Sequence, residues 1–235
     1  MATYVLCQGG WAGGWQWQEV ASLLRADGHV VYTPTFTGLG ERVHLAHPDI
    51  DLHTHIKDVL MMLKYEDLQD VTLVGYSGSG PVISGVAEKA AERIGHLVYL
   101  DAFVLEDGQS MADQLDPAIV AGLKEAAQRY GDGWRLPHDP PDADRRTDQP
   151  LKPILTRLVI DNPAAAALPR TFLHCPHGAQ HIGPLHAPIA RAAARAHASV
   201  RWRYRELNTG HIPIWTAPRM LAELLLELHQ TKEPL

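Results

Sequence analysis

The chain lacks several features that would direct it to a membrane, a nucleic acid or an oxidising compartment. Its 235 residues include only two cysteines, and no apolar run approaches the roughly 20 residues that cross a bilayer. Basic side chains number 21 against 27 acidic ones, a net charge of −6 that offers no basic surface to polyanions. Residues 1–4 lead straight into an apolar strand pattern without the regions of a signal peptide. We expect a cytoplasmic protein that binds neither nucleic acid nor membrane.

The two cysteines are not expected to form a disulfide. Cys7 and Cys175 each end a predicted strand, and these strands lie several positions apart in the predicted sheet. Adjacent strands are spaced by about 4.8 Å, so the two sulfur atoms should be too far apart to bond. Both are predicted to be buried free thiols.

Apolar strands and amphipathic helices alternate along the chain. Strands are predicted at 3–8, 29–36, 71–76, 96–100, 170–175 and 200–207, and helices at 16–26, 51–65, 80–93, 187–197 and 218–229. This alternation predicts an α/β fold with a mostly parallel, doubly wound sheet of about six strands. Residues 104–168 break the rhythm and are interpreted as a helical cap inserted into one domain that spans residues 1–235.

The stretch 71–80 (VTLVGYSGSG) has the layout of a nucleophile elbow. A buried strand ends abruptly in small residues around Ser77, and an alanine-rich helix follows. Such a turn exposes the serine hydroxyl and places the N–H of Gly78 beside it. The usual pattern is G-x-S-x-G, but Ser79 occupies the last position and the glycine comes one residue later, at Gly80. An ordinary tight turn or a phosphate-binding loop are the alternatives for this stretch alone.

The glycine-rich loop at residues 9–14 leaves the first strand at the same predicted edge of the sheet. Ligands bind at the carboxyl ends of parallel strands. A loop with four glycines allows its backbone to approach a ligand and to offer a free N–H to an oxyanion. An apolar substrate pocket could be formed by Trp11, Tyr76 and Trp134. The alternative is that these aromatic side chains only pack in the core.

A histidine and an acid follow the serine in the order expected of an α/β-hydrolase. His211 comes after the last predicted strand and is preceded by Gly210. The commoner position for the acid, the loop after strand 170–175, contains neither Asp nor Glu. Asp101 is the substitute because it ends the strand next to the serine strand. Capping of its own loop is the alternative role, and Glu106 and Asp107 are less well placed.

The other histidines do not indicate a metal site or a cofactor. Five metal-ligating side chains surround the predicted strand at 170–175, but their spacing lacks the paired pattern of zinc ligands; they are His174, Cys175, His177, His181 and His186. His53 and His55, at the start of a helix, are expected to be solvated. We predict no metal and no cofactor.

Several of these stretches together resemble the α/β-hydrolase superfamily, and within it the small esterase branch of plant methylesterases and hydroxynitrile lyases. The resemblance covers nearly the whole chain and rests on residues 8–17 (QGGWAGGWQW), 35–45 (TFTGLGERVHL), 100–103 (LDAF), 209–211 (TGH) and the Ser77 elbow. In that branch the first stretch begins His-Gly, so Gln8 is a departure.

The resemblance implies further roles. The residue that matches Gly10 supplies one oxyanion N–H and Gly78 the other. Hydroxynitrile lyases of this type have a lysine after the catalytic histidine and a threonine beside the oxyanion site, where this chain has Ile212 and Gly9. Cyanohydrin cleavage is therefore disfavoured. A homodimer is plausible from the family resemblance alone.

The sequence favours a serine hydrolase that cleaves a carboxylic ester, lactone or thioester through an acyl-enzyme. Ser77 is the predicted nucleophile, His211 the base and Asp101 the acid, and the substrate is expected to be a small apolar or aromatic ester. Two alternatives remain open. The His211–Asp101 pair could act as a base in cofactor-free lyase, cyclase or oxygenase chemistry, or the fold could serve as a small-molecule receptor without turnover.

Overall fold

The computed structural model describes residues 1–138 and 145–230, and it shows an α/β fold. Its strands are β1 (Thr3–Cys7), β2 (Val30–Tyr32), β3 (Val71–Tyr76), β4 (Ile94–Leu100), β5 (Arg135–Leu136), β6 (Gln149–Pro150), β7 (Arg170–His174) and β8 (Arg203–Glu206). Its helices are α1 (Gln18–Ala26), α2 (Leu52–Tyr65), α3 (Gly80–Ala90), α4 (Met111–Gln114), α5 (Pro117–Tyr130), α6 (Lys152–Leu155), α7 (Pro163–Ala166), α8 (Ala179–Ile182), α9 (Ala187–Ala198), α10 (Pro213–Thr216) and α11 (Pro218–Gln230).

Six of the described strands form one sheet in the order β2-β1-β3-β4-β7-β8, and every neighbouring pair is parallel. The predicted doubly wound α/β sheet is therefore confirmed. The second strand is shorter than predicted, because the backbone N–H of Phe36 donates to the Gln8 side chain at 3.3 Å, outside the sheet.

Alternate residues of the central strands pack into two separate cores. On one face, Leu73, Leu97 and Phe172 pack with side chains of α2, α3 and α9. On the other face, Val74 and Val98 pack with side chains of α1 and α11. A fully buried side chain of this kind contributes roughly 1.5–3 kcal/mol, so both faces hold the sheet in place.

The register of the sheet brings the strand ends together at its carboxyl edge. Tyr76, the last residue of β3, lies opposite Leu100, the last residue of β4, and Leu100 lies opposite Leu173 in β7. Ser77 and Asp101 therefore leave adjacent strands at the same level, because each directly follows one of these residues.

The described residues between β4 and β7 lie over this edge. The described part of this segment contains α4, α5, α6 and α7, together with a small antiparallel pair formed by β5 and β6. Met111, Leu115 and Ile154 from this segment belong to the same apolar core as α2 and α3. We call residues 104–168 the cap.

Both cysteines are free and buried, as predicted. Cys7 ends β1 and Cys175 follows β7, and two strands lie between β1 and β7 in the sheet. Burial raises the pKa of both thiols, so both stay protonated.

Among the described helices, none combines the length and the apolar character that crossing a membrane requires.

Candidate active site

Ser77 lies on a sharp turn between β3 and α3. Its φ is +57°, a left-handed value that costs a non-glycine residue on the order of 1–3 kcal/mol, and residues 77–79 form a single 3₁₀ turn. Gly80 allows the turn to close, because a Cβ there would collide with the backbone carbonyl of Phe103. The N–H of Phe103 in turn donates to the carbonyl of Ser77 at 3.1 Å. The strained serine is thus fixed to the exit of β4.

Ser79 has a structural role in this turn. Its hydroxyl accepts the N–H of Tyr76 at 2.8 Å and lies 2.9 Å from the carbonyl of Tyr76, to which it donates. Only 1% of the residue is exposed. The serine that departs from G-x-S-x-G therefore adds hydrogen bonds between the turn and the end of β3.

His211 connects Ser77 to Asp101. The hydroxyl of Ser77 lies 2.9 Å from Nε2 of His211, and Nδ1 of His211 lies 2.7 Å from Oδ2 of Asp101. This network assigns a proton to Nδ1, which donates to the carboxylate, and leaves Nε2 to accept from the serine. The three predicted triad residues therefore form one continuous hydrogen-bonded chain.

Asp101 stays ionised although it is completely buried. Burial by itself raises the pKa of this carboxyl, but hydrogen bonds from His186 and His211 outweigh burial and lower its pKa below the usual value. Oδ1 also accepts the N–H of Cys175 at 3.1 Å. Its φ is +41°, so the backbone is strained here as it is at Ser77.

His186 also belongs to this site, although the sequence pattern indicated it only as a potential metal ligand. Its Nε2 lies 3.2 Å and 3.1 Å from the two carboxylate oxygens of Asp101, and the residue is buried. The signal in the sequence was the acid-free loop after β7, which is rich in histidine instead.

The loop at residues 9–14 is held from both sides by glutamine side chains. Gln8 is fully buried, and its Nε2 donates to the carbonyl of Ala12 at 2.6 Å. Gln149, from β6 in the cap, accepts the N–H of Trp11 at 2.9 Å. Gly10 leaves room for this contact, since a Cβ on Gly10 would lie 2.7 Å from Oε1 of Gln149. Sequence reasoning did not find Gln149, because it lies far away in the chain.

A cavity of about 230 Å³ opens above Ser77. Gly10 and Gly78, the two predicted oxyanion donors, both line it next to Ser77 and His211. The remaining wall is mainly apolar and includes Phe103, Met111, Leu115, Leu123, Ile154, Ile182, Leu185, Ile212, Ile214 and Trp215. This volume suits a small, largely apolar molecule.

The three predicted aromatic pocket residues have different positions. Trp11 and Tyr76 line the cavity. The hydroxyl of Tyr76 donates to the carbonyl of His211 at 2.8 Å, and burial raises its pKa well above the usual value. Trp134 does not line this cavity: its ring lies under the Arg135 guanidinium at 5.2 Å, and its carbonyl accepts the N–H of Leu151. These contacts all lie within the cap.

The histidines outside the predicted triad also differ from one another. His53 is exposed as expected, but the expectation for His55 was wrong. His55 is 4% exposed, its ring stacks on Phe36 at 4.9 Å, and Nε2 lies 3.2 Å from the carbonyl of Thr37. The loop after β2 folds over this helix and buries the ring.

Asp101, His174 and His186 place potential metal-ligating atoms within 4.8 Å of one another. The carboxylate already accepts hydrogen bonds from His211 and the Cys175 N–H, and Nε2 of His186 points to the same oxygens. A hydrogen-bonding role explains the group without an ion. The absence of a metal stays a prediction.

The parallel sheet, the elbow and the order serine, acid, histidine define the architecture of the α/β-hydrolases. Residues 4–224 match the sequence model of the alpha/beta hydrolase family, and the chain belongs to this family.

Curated relatives place it near esterases. A carbendazim hydrolyzing esterase from Nocardioides sp. (strain SG-4G) is 50% identical over 119 residues, which are 51% of this chain and 49% of that protein. The putative chloroplastic methylesterase 11 of Arabidopsis thaliana is 23% identical over 254 residues, with 96% of this chain and 63% of that protein covered. The matches thus span about half of the first relative and less than two thirds of the second.

Among solved structures, an extracellular alpha/beta-hydrolase from a Paenibacillus species has a TM-score of 0.78 and 27% identity, and the match covers 97% of this chain and 98% of that one. That protein is described as sharing structural and functional homology with tobacco salicylic acid binding protein 2. Together with the methylesterase match, this similarity confirms the predicted resemblance to the methylesterase branch.

Proposed function

We propose that this protein is a serine hydrolase that cleaves a carboxylic ester through an acyl-enzyme, with lactones and thioesters as related substrates. The observation that supports this most directly is the chain of hydrogen bonds from Ser77 through His211 to Asp101, at 2.9 Å and 2.7 Å, on the floor of an apolar cavity. A weak nucleophile, a base and an orienting carboxylate are the parts that acyl transfer needs.

In the first half-reaction, Ser77 Oγ attacks the ester carbonyl carbon while His211 Nε2 takes the hydroxyl proton. The negative charge on the carbonyl oxygen is stabilised by the backbone N–H groups of Gly10 and Gly78. The intermediate collapses as the bond to the alcohol breaks, and His211 returns the proton to the leaving oxygen. The product of this step is an acyl group on Ser77 and a free alcohol.

In the second half-reaction, a water molecule takes the place of the alcohol. His211 removes a proton from the water as its oxygen attacks the acyl carbon. It then returns that proton to Ser77 Oγ as the bond between Oγ and the acyl carbon breaks, which releases the carboxylic acid. Asp101 holds the imidazole in the required tautomer and stabilises its positive charge throughout. Each oxyanion donor is worth about 10²- to 10³-fold in rate.

The substrate class follows from the cavity. Its wall is mainly aliphatic and aromatic, and its volume of about 230 Å³ leaves room for a small acyl or aryl group. The relative named for carbendazim hydrolysis supports the inclusion of carbendazim in a substrate panel beside aryl and alkyl esters.

The test is intact-mass analysis after exposure to a fluorophosphonate, followed by peptide mapping. We expect one adduct, on Ser77, and none in the Ser77→Ala variant. Ser199→Ala, at a serine whose hydroxyl accepts the N–H of Arg201, is the control and should label like the wild type. An ester and lactone panel then identifies substrates, and each turnover should vanish in Ser77→Ala.

A folded protein that does not form the adduct would contradict the acyl-enzyme. Turnover that survives in Ser77→Ala would favour base-catalysed lyase, cyclase or oxygenase chemistry by His211 and Asp101. Tight binding of a small molecule without any product would instead favour a receptor.

A further inference from the structure

The carboxylate of Asp101 has two imidazole partners, whereas the triad requires only one. His211 contacts Oδ2 at 2.7 Å, while Nε2 of His186 lies 3.1 Å from Oδ2 and 3.2 Å from Oδ1. His186 is 4% exposed and Asp101 is 0% exposed, so both partners of this contact are shielded from bulk solvent. The ring of His186 therefore lies astride both oxygens of the buried carboxylate.

The loop after β7 is built to bring His186 to this place. Residues 183–186 form a 3₁₀ turn that leads into α9 and directs the ring back toward Asp101. The ring passes directly over Gly178, where any Cβ would collide with Nε2 of His186. The same loop supplies the N–H of Cys175 to Oδ1. A loop that contains no acid thus supplies two donors to the acid on the neighbouring strand.

The groups behind His186 define its surroundings. The ring of His174 stacks on that of His186, with centroids 6.0 Å apart. Nδ1 of His174 lies 2.9 Å from the hydroxyl of Tyr204, which itself donates to Glu206 at 2.6 Å. His174 therefore donates from Nδ1, and burial lowers its pKa so that it stays neutral. From this side, no second positive charge competes for the carboxylate.

We infer that His186 is a positioning residue that donates a hydrogen bond from Nε2 to the Asp101 carboxylate and holds it in the plane that His211 requires. This inference rests on the proposed triad. Because the acid follows β4 here and not β7, its side chain needs support from the β7 loop, and His186 provides that support. A hydrogen bond from this ring fixes the direction of the carboxylate, which remains free to stabilise protonated His211.

His186→Leu tests the inference, because it keeps much of the side-chain volume and removes the donor. We expect kcat to fall about 10- to 100-fold, as for the loss of a hydrogen bond to a charged group, with KM nearly unchanged. Without the donor, Asp101 attracts the His211 proton more strongly, so the acidic limb of kcat/KM should move to higher pH. His186→Gln keeps an N–H at similar reach, so it should recover most of the lost kcat and most of the wild-type pH profile.

His177→Leu is the matched control: it lies in the same loop, is exposed, and contacts Asn208 at 2.9 Å. It should leave kcat and the pH profile unchanged. His186→Asn, whose amide is too short to reach, is the second donor-free variant if His186→Leu fails to fold, and it should behave like His186→Leu.

The rate of fluorophosphonate labelling separates this inference from the proposed function. If the wild type is not labelled, the proposed function fails. If the wild type is labelled and the donor-free variant reacts at the same rate with an unchanged acidic limb, the positioning role is wrong. An equal loss of kcat in the donor-free variant and in His186→Gln would also overturn the positioning role. Packing of the ring, and not the hydrogen bond that it donates, would then explain the effect.

Discussion

The floor and the roof of the candidate active-site cavity are held by different interactions. The floor, at the carboxyl edge of the sheet, is a chain of hydrogen bonds through Ser77, His211 and Asp101. The roof, from the cap, is formed by aliphatic side chains such as Leu115 and Leu123. Hydrogen bonds fix atoms to within tenths of an ångström, whereas apolar packing fixes a shape. The floor should therefore determine the rate of reaction and the roof the choice of substrate.

Strained backbone surrounds the floor, although it also occurs elsewhere, for example at Asp132 in the cap. Trp11, Ser77 and Asp101 all have positive φ values, between 41° and 59°. Such residues cost on the order of 1–3 kcal/mol each and persist where their surroundings fix them. Here the fixing contacts are the hydrogen bonds of Gln149, Phe103 and Cys175 to these same residues.

Floor and roof meet at the loop that follows β1. The N–H of Trp11 donates to Gln149 of the cap, and its carbonyl accepts the N–H of Thr147 at 2.8 Å. The position of the predicted oxyanion donor Gly10 thus depends on the cap as well as on the sheet.

Asp101→Asn should give the largest effect and tests whether the floor determines the rate. An amide at this position donates to Nδ1 of His211 and stabilises the wrong tautomer, so kcat should fall about 10⁴-fold. Steady-state kinetics on the best ester of the panel measure this change. Asp107→Asn is the control, at a cap carboxylate that accepts the N–H of Ile160. Its kcat should be close to that of the wild type. A loss below about 10-fold in Asp101→Asn would place the acid elsewhere.

His55, a buried residue of α2, allows a test of folding stability instead of rate. Burial lowers its pKa from 6.5 to about 4, although Asp58 opposes this shift. The folded state thus favours neutral His55; this contribution to stability is complete above about pH 6.5 and is lost as the pH falls toward 4. Between about pH 7.5 and pH 5, the wild type should lose about 2 kcal/mol more than His55→Gln.

Urea unfolding at both pH values measures this difference. His53→Gln, two residues away and exposed, is the matched control and should keep the pH dependence of the wild type. Equal pH dependence of wild type and His55→Gln would mean that the ring is solvated after all, as the sequence suggested.

Leu123→Ala tests the roof. Loss of this half-buried side chain from the cavity wall should raise KM about 10-fold for an apolar ester and leave kcat within about threefold, since the contact is equal in ground and transition states. Val159→Ala, at a cap residue that is 61% exposed, should change neither constant. A fall in kcat with constant KM would show that the roof also positions the reacting groups.

Sequence patterns predicted that the three floor residues lie together, because their positions depend on strand ends. Apolar periodicity located β3, β4 and β8, and a parallel sheet brings their carboxyl ends to one edge. Ser77, Asp101 and His211 each follow one of these strands, so knowledge of the strands was enough to bring them together. No side-chain detail was needed.

The supports of the floor could not be predicted in the same way. Gln149 lies 138 residues from Trp11, and His186 lies 85 residues from Asp101. Both reach the site from irregular loops or very short strands, whose path has no periodic signature. The position of Trp134 depends on the same cap geometry, and the burial of His55 depends on how the loop around Phe36 folds over it.

Ser79→Gly gives the smallest expected effect and asks whether the unusual elbow belongs to the rate-determining floor or only supports it. The substitution restores the G-x-S-x-G pattern but removes a buried hydroxyl that bonds the N–H and carbonyl of Tyr76. The free energy of unfolding should fall by about 1 kcal/mol, which lowers Tm by roughly 2–4 °C, while kcat/KM stays within about threefold.

Ser79→Ala separates the loss of the hydroxyl from the added backbone freedom of glycine, because alanine lacks the hydroxyl but does not add that freedom. If instead kcat/KM fell 10-fold or more in both variants while Tm held, the hydroxyl would be setting the angle of the Gly78 N–H, and Ser79 would have to be counted with the oxyanion site.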